Sequence, residues 1–241
     1  FGSAPAIQAK LGANNAVSFD LTAACSGFLF ALITASQFLK GGIHKRAVVI
    51  GSDQLSSYVD WNDRRSCILF GDGAGAITIE STNDFDNLIG FNMKTDGERG
   101  IFLNLPSNNK KESIIDNVDY VRGGFLPIQM NGQEVYKFAV REVPLIINEL
   151  FEKTNYSSKN VDWLLLHQAN QRILDSVGER LKFSKEKILS NLENYGNTSA
   201  GTIPLMIDEA IRNKLIKRDD IIVVSGFGAG LSWGAALIKW G

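Results

Sequence analysis

The sequence contains few of the residues that disulfide frameworks and metal sites require. Its 241 residues include two cysteines and two histidines, so neither a disulfide framework nor a CxxC motif is present, and a zinc site is not expected. Lys and Arg number 25, Asp and Glu number 26, and the formal net charge is −1. This balance gives no electrostatic reason to expect nucleic acid or an anionic membrane as a partner.

Long hydrophobic runs are also missing. No apolar stretch approaches the roughly 20 residues that span a bilayer, and no signal-peptide pattern opens the chain. Because 44% of the residues are hydrophobic, the chain can instead form one large core, or two halves that share an interface. The sequence begins at Phe1 rather than Met, from which we expect that processing or truncation has removed upstream residues.

Strand-like and helical segments alternate along most of the chain. Apolar periodicity predicts helices at 5–11, 28–39, 134–151 (interrupted by Pro144), 169–182 and 203–214. It predicts strands at 17–21, 47–51, 67–70, 74–80, 161–166 and 221–225. Polar residues and glycines are interleaved between 81 and 121, where we expect an irregular surface insertion. Apolar strands that alternate with helices indicate an α/β fold in which helices cover buried sheets.

Two stretches of the sequence resemble each other. CILFGDGAGAITIE at 67–80 and IVVSGFGAGLSWGAALIKW at 222–240 each predict a strand, a Gly-rich turn and a second strand, with the first turn at Gly71-Asp72-Gly73. This similarity predicts duplicated halves. Neither turn is followed by Gly-Lys-Ser/Thr or by a helix, so neither is predicted to bind a nucleotide phosphate.

Cys25 lies where a predicted strand leads directly into a predicted helix. A thiol at this position faces unpaired backbone N–H groups and the positive end of the helix dipole, and both favour the nucleophilic thiolate. Most free cysteines, however, are small buried hydrophobic residues. This segment alone therefore leaves both interpretations open.

His167 and Asn197 occupy comparable positions. His167 directly follows a predicted strand, and Asn197 lies in a Gly-rich loop just before a predicted helix. A single His or Asn in such places is commonly structural, but ligands and catalytic groups also gather at strand ends in α/β folds. Together with Cys25 they form a Cys–His–Asn set, which we interpret as catalytic. Cys67 and His44 are predicted to have no such role.

Six blocks of sequence resemble β-ketoacyl-[acyl-carrier-protein] synthase III, the initiating condensing enzyme of bacterial and plastid fatty-acid synthesis. They occur in the family's order over nearly the whole chain: DLTAACSGF at 20–28, ILFGDGAGA at 68–76, NGQEVYKFAV at 131–140, LLLHQANQRI at 164–173, NYGNTSAGTIP at 194–204 and GFGAGLSWGAAL at 226–237. The resemblance implies a thiolase-like fold, with duplicated βαβ halves in a five-layer αβαβα arrangement, and a homodimer. The expected halves are 1–125, with Cys25 and the insertion, and 126–241, with His167 and Asn197.

The resemblance also implies a further N-terminal stretch with the opening strands and helices of the first half. We therefore expect a partial sequence that is poorly stable and inactive in isolation, because unpaired strand edges and apolar surface would be exposed.

The resemblance further implies a mechanism. Cys25 takes the acetyl group of acetyl-CoA, or another short acyl group, as a thioester. Malonyl-[acyl-carrier-protein] then loses carbon dioxide and condenses with it to a 3-ketoacyl-[acyl-carrier-protein]. His167 and Asn197 would donate N–H groups to the malonyl thioester oxygen. The backbone N–H groups of Cys25 and of Gly228, Ala229 and Gly230 are candidates for the second oxyanion hole.

Binding residues are implied in the same way. Arg64 would contact the adenine of coenzyme A, Phe70 and Asn170 would contact substrate, and Lys137 and Arg172 would dock the acidic carrier protein. The substrates supply the reactive groups, so no cofactor and no metal are expected. The expected compartment is the cytoplasm or a plastid stroma.

Several alternatives remain. A papain-like peptidase also uses Cys, His and Asn in this order, but the Cys-Gly-Ser-Cys-Trp-like context and the disulfides that it requires are missing. Another thiolase-fold enzyme is a closer alternative, either a secondary-metabolite ketosynthase or a hydroxymethylglutaryl-CoA synthase, which needs an upstream glutamate. An inactive truncated copy is the third. The HQAN and NYGNTSAG blocks favour synthase III.

Overall fold

The structure of the protein, a computed structural model, describes residues 2–82 and 86–241. The helices are α1 Ala4–Lys10, α2 Gly27–Lys40, α3 Gly132–Thr154, α4 Gln171–Arg180, α5 Leu192–Tyr195 and α6 Thr202–Arg212. The strands are β1 Arg46–Gln54, β2 Asp72–Glu80, β3 Leu88–Thr95, β4 Leu103–Asn104, β5 Lys110–Ile115, β6 Val118–Arg122, β7 Gln129–Met130, β8 Trp163–Leu166, β9 Ile221–Gly228 and β10 Ser232–Lys239.

Two sheets form the framework. The larger has the strand order β3-β10-β9-β8, in which β10 is antiparallel to both neighbours and β8 is parallel to β9. The smaller pairs β1 with β2 in antiparallel register. Because β8 and β9 run in the same direction, their carboxyl ends lie at the same edge of the larger sheet, where His167 follows β8 and Gly228 ends β9.

The hydrophobic core lies on both faces of the larger sheet. On one face, Val223 and Leu237 pack with the buried residues of α3 and α4. On the other face, Ile222 and Val224 pack with α2, α6 and the inner face of the β1–β2 pair. This alternation of side chains between faces is the two-residue period of a strand. The molecule therefore has four successive layers: α3 with α4, the larger sheet, α2 with α6, and β1 with β2.

These layers correspond to four of the five that the resemblance implies. Val48 and Ile50 lie on the opposite face of β1 from the buried Val49, and both are exposed. The predicted α/β class is confirmed, and the helices predicted around 28–39, 134–151, 169–182 and 203–214 are present as α2, α3, α4 and α6. Helix α3 runs through Pro144 without a break.

The predicted strand at 17–21 is wrong, since these residues have no strand structure. Val17 and Phe19 are 74% and 55% exposed. β-Favouring residues form a strand only where a neighbouring strand completes the hydrogen bonds, and these residues pair with no strand in the described parts of the chain.

The strand–turn–strand prediction at 67–80 is also wrong in its first half. Residues 67–69 form turns, and Gly71-Asp72-Gly73 is not a hairpin turn because β2 already begins at Asp72. The strand pairs that repeat in the structure are β1 with β2 and β9 with β10, each antiparallel.

The irregular insertion predicted at 81–121 contains four strands, β3 to β6; residues 83–85 lie outside the described residues. Strand β3 pairs with β10 at the edge of the larger sheet. Edge strands accept polar residues. The polar residues of this segment therefore gave no sequence signal for β3. The larger sheet therefore combines β3, from before the expected boundary at 125, with three strands from after it.

Candidate active site

Cys25, His167 and Asn197 line one cavity of about 530 Å³. They come from three segments that are distant in sequence, and all three are buried. The structure therefore brings together the three side chains that the sequence analysis interpreted as a catalytic set.

Cys25 lies in a short 3-10 turn, Ala24–Ser26, that leads into α2. The turn is held against the larger sheet because the Ser26 hydroxyl donates to the carbonyl oxygen of Ser232 at 2.7 Å. Ala24, just before the cysteine, has a φ of 46°, in the left-handed region. Such a conformation costs an alanine on the order of 1–3 kcal/mol and is typical of functional sites, where the surrounding structure maintains it.

Backbone and side-chain hydrogen bonds hold His167 at the end of β8. Its N–H donates to the carbonyl oxygen of Ser225 in β9 at 2.8 Å. The buried amide of the next residue, Gln168, donates to the carbonyl oxygen of Leu166 at 2.8 Å and accepts the N–H of Asn191 at 3.2 Å. The imidazole ring packs edge-on against Phe227, with 5.3 Å between ring centroids.

The loop that carries Asn197 is paired with the segment before β2. The Asn197 N–H donates to Leu69 and its carbonyl oxygen accepts from Gly71, both at 2.9 Å. The side-chain oxygen accepts the N–H of Ser199 at 2.8 Å. Because the oxygen is occupied, the orientation of the amide is determined, and its NH₂ group remains available to donate.

The environment of Cys25 does not favour the thiolate, contrary to the sequence-based expectation. Burial raises the pKa of the thiol to about 11, and the negative charge of Asp53 acts in the same direction. The Ser199 hydroxyl, 3.3 Å from Sγ, and the Cys25 backbone N–H lower this pKa, but burial has the larger effect. A thiol in this state has to lose its proton to a neighbouring base when it reacts.

His167 is suited to a neutral role. Complete burial lowers the pKa of its imidazole to about 3, because desolvation disfavours the charged ring. At neutral pH the ring therefore has one protonated and one unprotonated nitrogen, and which nitrogen is protonated depends on its hydrogen bonds.

The predicted oxyanion-hole residues lie at the end of β9. A Cβ atom on Gly228 would be 2.6 Å from the Cys25 backbone nitrogen, so only glycine allows this approach. Ala229 is half-buried, whereas Gly230 is exposed, with a φ of 137°. The structure therefore brings Gly228 against Cys25 and leaves Gly230 at the surface.

The predicted binding residues separate into two groups. Phe70, Asn170 and Arg172 line the cavity with the catalytic set. The Asn170 side chain also accepts the N–H of Arg172 at 2.9 Å, as the N-cap of α4. Arg64 and Lys137 are exposed and lie outside the cavity lining, to which their neighbours Arg65 and Tyr136 belong.

Three residues near this set were missed in the sequence analysis: Ser199 and Thr202, which contact it, and Asp53, whose charge acts on Cys25. Ser199 and Thr202 belong to the NTSAGT stretch after Asn197, where hydroxyl residues are typical of turns and helix starts. Asp53, in β1, accepts the N–H of Ala200 at 3.0 Å. Only the position of Ser199 and Thr202 in the same motif as Asn197 could have indicated that they belong to the site.

The remaining candidates lie elsewhere. Cys67 is partly buried, and His44 is half-buried beside Phe38, with ring centroids 6.3 Å apart. In the described residues, no group of three or more His, Cys, Asp or Glu side chains could hold a metal ion. No helix in that part of the chain has both the length and the apolar character needed to cross a bilayer.

Comparisons with known proteins identify the family of this chain. Residues 19–97 match the family 3-oxoacyl-[acyl-carrier-protein (ACP)] synthase III, and residues 151–240 match its C-terminal family. The β-ketoacyl-[acyl-carrier-protein] synthase III of Prochlorococcus marinus strain MIT 9312 is 79% identical over 241 residues, which cover 100% of this chain and 72% of that protein.

Solved structures show the same fold. The 3-oxoacyl-[acyl-carrier-protein] synthase III of Aquifex aeolicus VF5 is 38% identical with a TM-score of 0.87, covering 100% of this chain and 73% of that one. The priming β-ketosynthase of the R1128 polyketide pathway is 29% identical with a TM-score of 0.87, covering 98% and 69%. These likenesses confirm the predicted thiolase-like fold and favour the predicted family over a peptidase. The chain belongs to the 3-oxoacyl-[acyl-carrier-protein] synthase III family.

Proposed function

We propose that this chain catalyses the decarboxylating condensation of acetyl-CoA, or another short acyl-CoA, with malonyl-[acyl-carrier-protein] to give a 3-oxoacyl-[acyl-carrier-protein]. The observation that carries this proposal is the shared cavity of Cys25, His167 and Asn197. The 79% identity to a β-ketoacyl-[acyl-carrier-protein] synthase III, against 29% to a polyketide ketosynthase, favours fatty-acid synthesis over secondary metabolism.

In the first half-reaction, the sulfur of Cys25 attacks the thioester carbonyl of the acyl-CoA. A bond forms from Sγ to the acyl carbon, the bond from that carbon to the coenzyme A sulfur breaks, and coenzyme A leaves as a thiol. Sulfur suits this exchange because it is both a strong nucleophile and a good leaving group. The proposed donors to the tetrahedral oxyanion are the Cys25 backbone N–H and the end of β9 at Gly228, which lies against it.

In the second half-reaction, malonyl-[acyl-carrier-protein] loses carbon dioxide, and negative charge develops on its thioester oxygen. The Asn197 NH₂ group and a ring N–H of His167 donate to this oxygen. Each well-placed donor of this kind contributes about 10²–10³ in rate. The carbanion then attacks the acyl-Cys25 carbonyl, and Cys25 is released as the leaving group.

Surface charges near the cavity suit an acidic carrier protein. Arg172 lines the cavity and is exposed, and Lys137 is exposed on α3, next in sequence to the cavity-lining Tyr136 and in an ion pair with Glu134 at 2.7 Å. We propose that both dock the carrier protein, with Arg172 dominant, that Arg64 binds coenzyme A, and that the functional unit is a cytoplasmic homodimer without a resident cofactor.

The test is intact-protein mass spectrometry after mixing with acetyl-CoA. It is applied to this chain and to a version extended at its N terminus to the length of its relatives. We expect one acetyl group per extended chain, located on Cys25 and absent from Cys25→Ala. Cys67→Ala is the matched control and should be acetylated normally.

Two further variants separate the half-reactions. Asn197→Ala and His167→Ala should both still be acetylated on Cys25, but each should lose malonyl decarboxylation by about 10²-fold or more. Normal condensation by either variant would contradict the proposed donors. A folded, extended protein that acquires no acetyl group would overturn the proposed function.

A further inference from the structure

Glu209 of α6 holds the short helix α5 at both of its ends. One oxygen of its half-buried carboxylate accepts the side-chain N–H of Asn191, the residue just before α5, at 2.8 Å. The other oxygen accepts the hydroxyl proton of Tyr195, the last residue of α5. Both oxygens of this carboxylate therefore fix one four-residue helix, although the reaction steps described above do not involve it.

The position of Asn197 depends on this helix. A helix as short as α5 is not stable by its own hydrogen bonds, so α5 needs contacts from elsewhere in the fold. It ends at Tyr195, Gly196 follows with a φ of 64°, and Asn197 is the next residue. A shift in the end of α5 would therefore be passed on directly to the Asn197 amide.

Asn191 connects the same contact to the other proposed donor. Its backbone N–H donates to the side-chain oxygen of Gln168 at 3.2 Å, and the fully buried Gln168 directly follows His167. Glu209 therefore belongs to a chain of hydrogen bonds that joins the end of β8 to the loop of Asn197.

The part of the loop that faces the nucleophile is held by different contacts. Asp53 accepts the N–H of Ala200 at 3.0 Å, and the Thr202 hydroxyl donates to the carbonyl oxygen of Ser199 at 2.9 Å. These contacts do not involve α5. The Ser199 hydroxyl should therefore stay beside Cys25 when the contacts of α5 with α6 are lost.

We propose that Glu209 is a positioning residue for condensation, which acts through α5 to hold the Asn197 amide where it meets the malonyl thioester oxygen. This proposal rests on the proposed function. Glu209 is not among the described residues that line the cavity, so its effect on the reaction passes through Asn197. Loss of its carboxylate should therefore impair decarboxylation and spare acetylation.

The first test compares the two half-reactions in the version extended at its N terminus. In Glu209→Ala we expect malonyl decarboxylation to slow by about tenfold, because the amide donor is displaced rather than removed. Acetylation of Cys25 should change by less than about twofold. Glu209→Gln should restore decarboxylation, because its oxygen can accept from Asn191 and its NH₂ group can donate to the Tyr195 hydroxyl.

A double-mutant cycle separates positioning from a general loss of stability. If Glu209 acts through the Asn197 amide, Glu209→Ala should have almost no further effect on decarboxylation in an Asn197→Ala background. The same loss in both backgrounds would overturn the proposal. Asp208→Ala is the matched control, since this exposed carboxylate of the same helix pairs with Arg212 at 2.7 Å, and it should alter neither half-reaction.

Hydrogen exchange tests the contact without catalysis in the same protein. The Asn197 N–H is bonded to the carbonyl oxygen of Leu69. We expect residues 192–197 to exchange about tenfold faster in Glu209→Ala than in the wild type, because this segment opens more often, whereas exchange in β9 should not change. Unchanged exchange at 192–197 would overturn the positioning role even if the wild type condenses normally.

The proposed function and the role of Glu209 can fail separately. An extended wild-type protein that carries out neither half-reaction would overturn the proposed function, and the role of Glu209 with it. A normal wild type in which Glu209→Ala loses both half-reactions equally would overturn the role of Glu209 alone. If Glu209→Ala does not fold, Tyr195→Phe, which removes one of the two hydrogen bonds, takes its place in the cycle with an expected loss of about threefold.

Discussion

The hydroxyl oxygen of Ser199 lies 3.3 Å from the sulfur of Cys25, although 174 residues separate the two in sequence. Ser199 also donates its N–H to Asn197, and its carbonyl oxygen accepts from Thr202. One residue, with a φ of 53° in the left-handed region, therefore contacts the nucleophile, the amide donor and the residue bound to the imidazole. Its conformation allows these three contacts to form at once.

The first prediction concerns this hydroxyl. In Ser199→Ala, the hydrogen bond that lowers the pKa of Cys25 is lost, so the pKa rises further and thiolate is less accessible. We expect alkylation of Cys25 by iodoacetamide at fixed pH to slow by roughly tenfold, as for a hydrogen bond to a charged group. Ser36→Ala, which removes a hydroxyl bound only to Leu32 in α2, is the control. A faster reaction in Ser199→Ala would contradict the assignment.

Asp53 should have the opposite effect. Its negative charge raises the pKa of Cys25, while its side-chain oxygen holds the N–H of Ala200. Asp53→Asn removes the charge and keeps an acceptor, so we expect the thiol pKa to fall and alkylation to accelerate severalfold. The pH dependence of alkylation measures both. Asp72→Asn is the control, since this carboxylate binds Ser56 instead, and it should leave the pH dependence of Cys25 alkylation unchanged.

Two glycines of β9 give a matched pair. A Cβ on Gly228 would meet the Cys25 nitrogen at 2.6 Å, whereas a Cβ on Gly226 would have ordinary contacts of 3.5 Å or more. Gly228→Ala should displace the Cys25 turn, lower the free energy of unfolding by about 1–3 kcal/mol and abolish acetylation. Gly226→Ala should retain most of both. Denaturant unfolding and mass spectrometry measure these quantities, and equal behaviour of the two variants would refute the steric argument.

His167 should make the protein sensitive to acid. Its pKa is about 3 in the folded chain and about 6.5 in an unfolded one, so between these values the unfolded state binds more protons. Stability should therefore fall as pH decreases from 6.5 towards 3, by up to about 1.4 kcal/mol per pH unit from this residue. Urea unfolding of His167→Asn should show a shallower pH dependence over this range. His44→Gln is the comparison, and an unchanged slope in His167→Asn would contradict the prediction.

Neighbouring arginines should differ in their effect on acyl-CoA binding. The Arg65 guanidinium is held by Asp63 at 2.9 Å, whereas Arg64 has no ion pair among the described residues and is free to meet a ligand. We expect Arg64→Ala to raise KM for acetyl-CoA severalfold with kcat nearly unchanged, and Arg65→Ala to have a smaller effect. A larger effect in Arg65→Ala would transfer the proposed contact to the residue that lines the cavity.

The sequence was sufficient to predict that Cys25, His167 and Asn197 meet in one site, because each lies next to a helix or strand that local periodicity reveals; their catalytic role stays a prediction. The long helices were predictable for the same reason. The structure of residues 17–21 was not predictable, because a strand forms only with a partner strand, which the local sequence does not reveal. Strand β3 was hidden because its edge position permits polar residues.

The residues that line the site were easier to predict from sequence than their pKa values and hydrogen bonds. The local argument gave the wrong sign for the pKa of Cys25, because burial by distant segments outweighs the start of the helix. Ser199 and Thr202 could not be separated from ordinary turn residues, since their hydrogen bonds reach Cys25 and His167 at sequence separations of 174 and 35 residues. Such relationships exist only in the folded chain.

The pairing of Asn197 with Leu69 and Gly71 has a consequence for fragments of this protein. It joins the segment before β2 to the loop that carries the amide; Cys25 lies in 1–125 whereas His167 and Asn197 lie in 126–241, so neither fragment holds all three reacting groups. Each fragment expressed alone would be catalytically silent, and in a version extended at its N terminus turnover would return only when the two parts reassociate. The condensation reaction can therefore report fragment complementation, which requires the backbone hydrogen bonds of Asn197 with Leu69 and Gly71 to form between the two fragments.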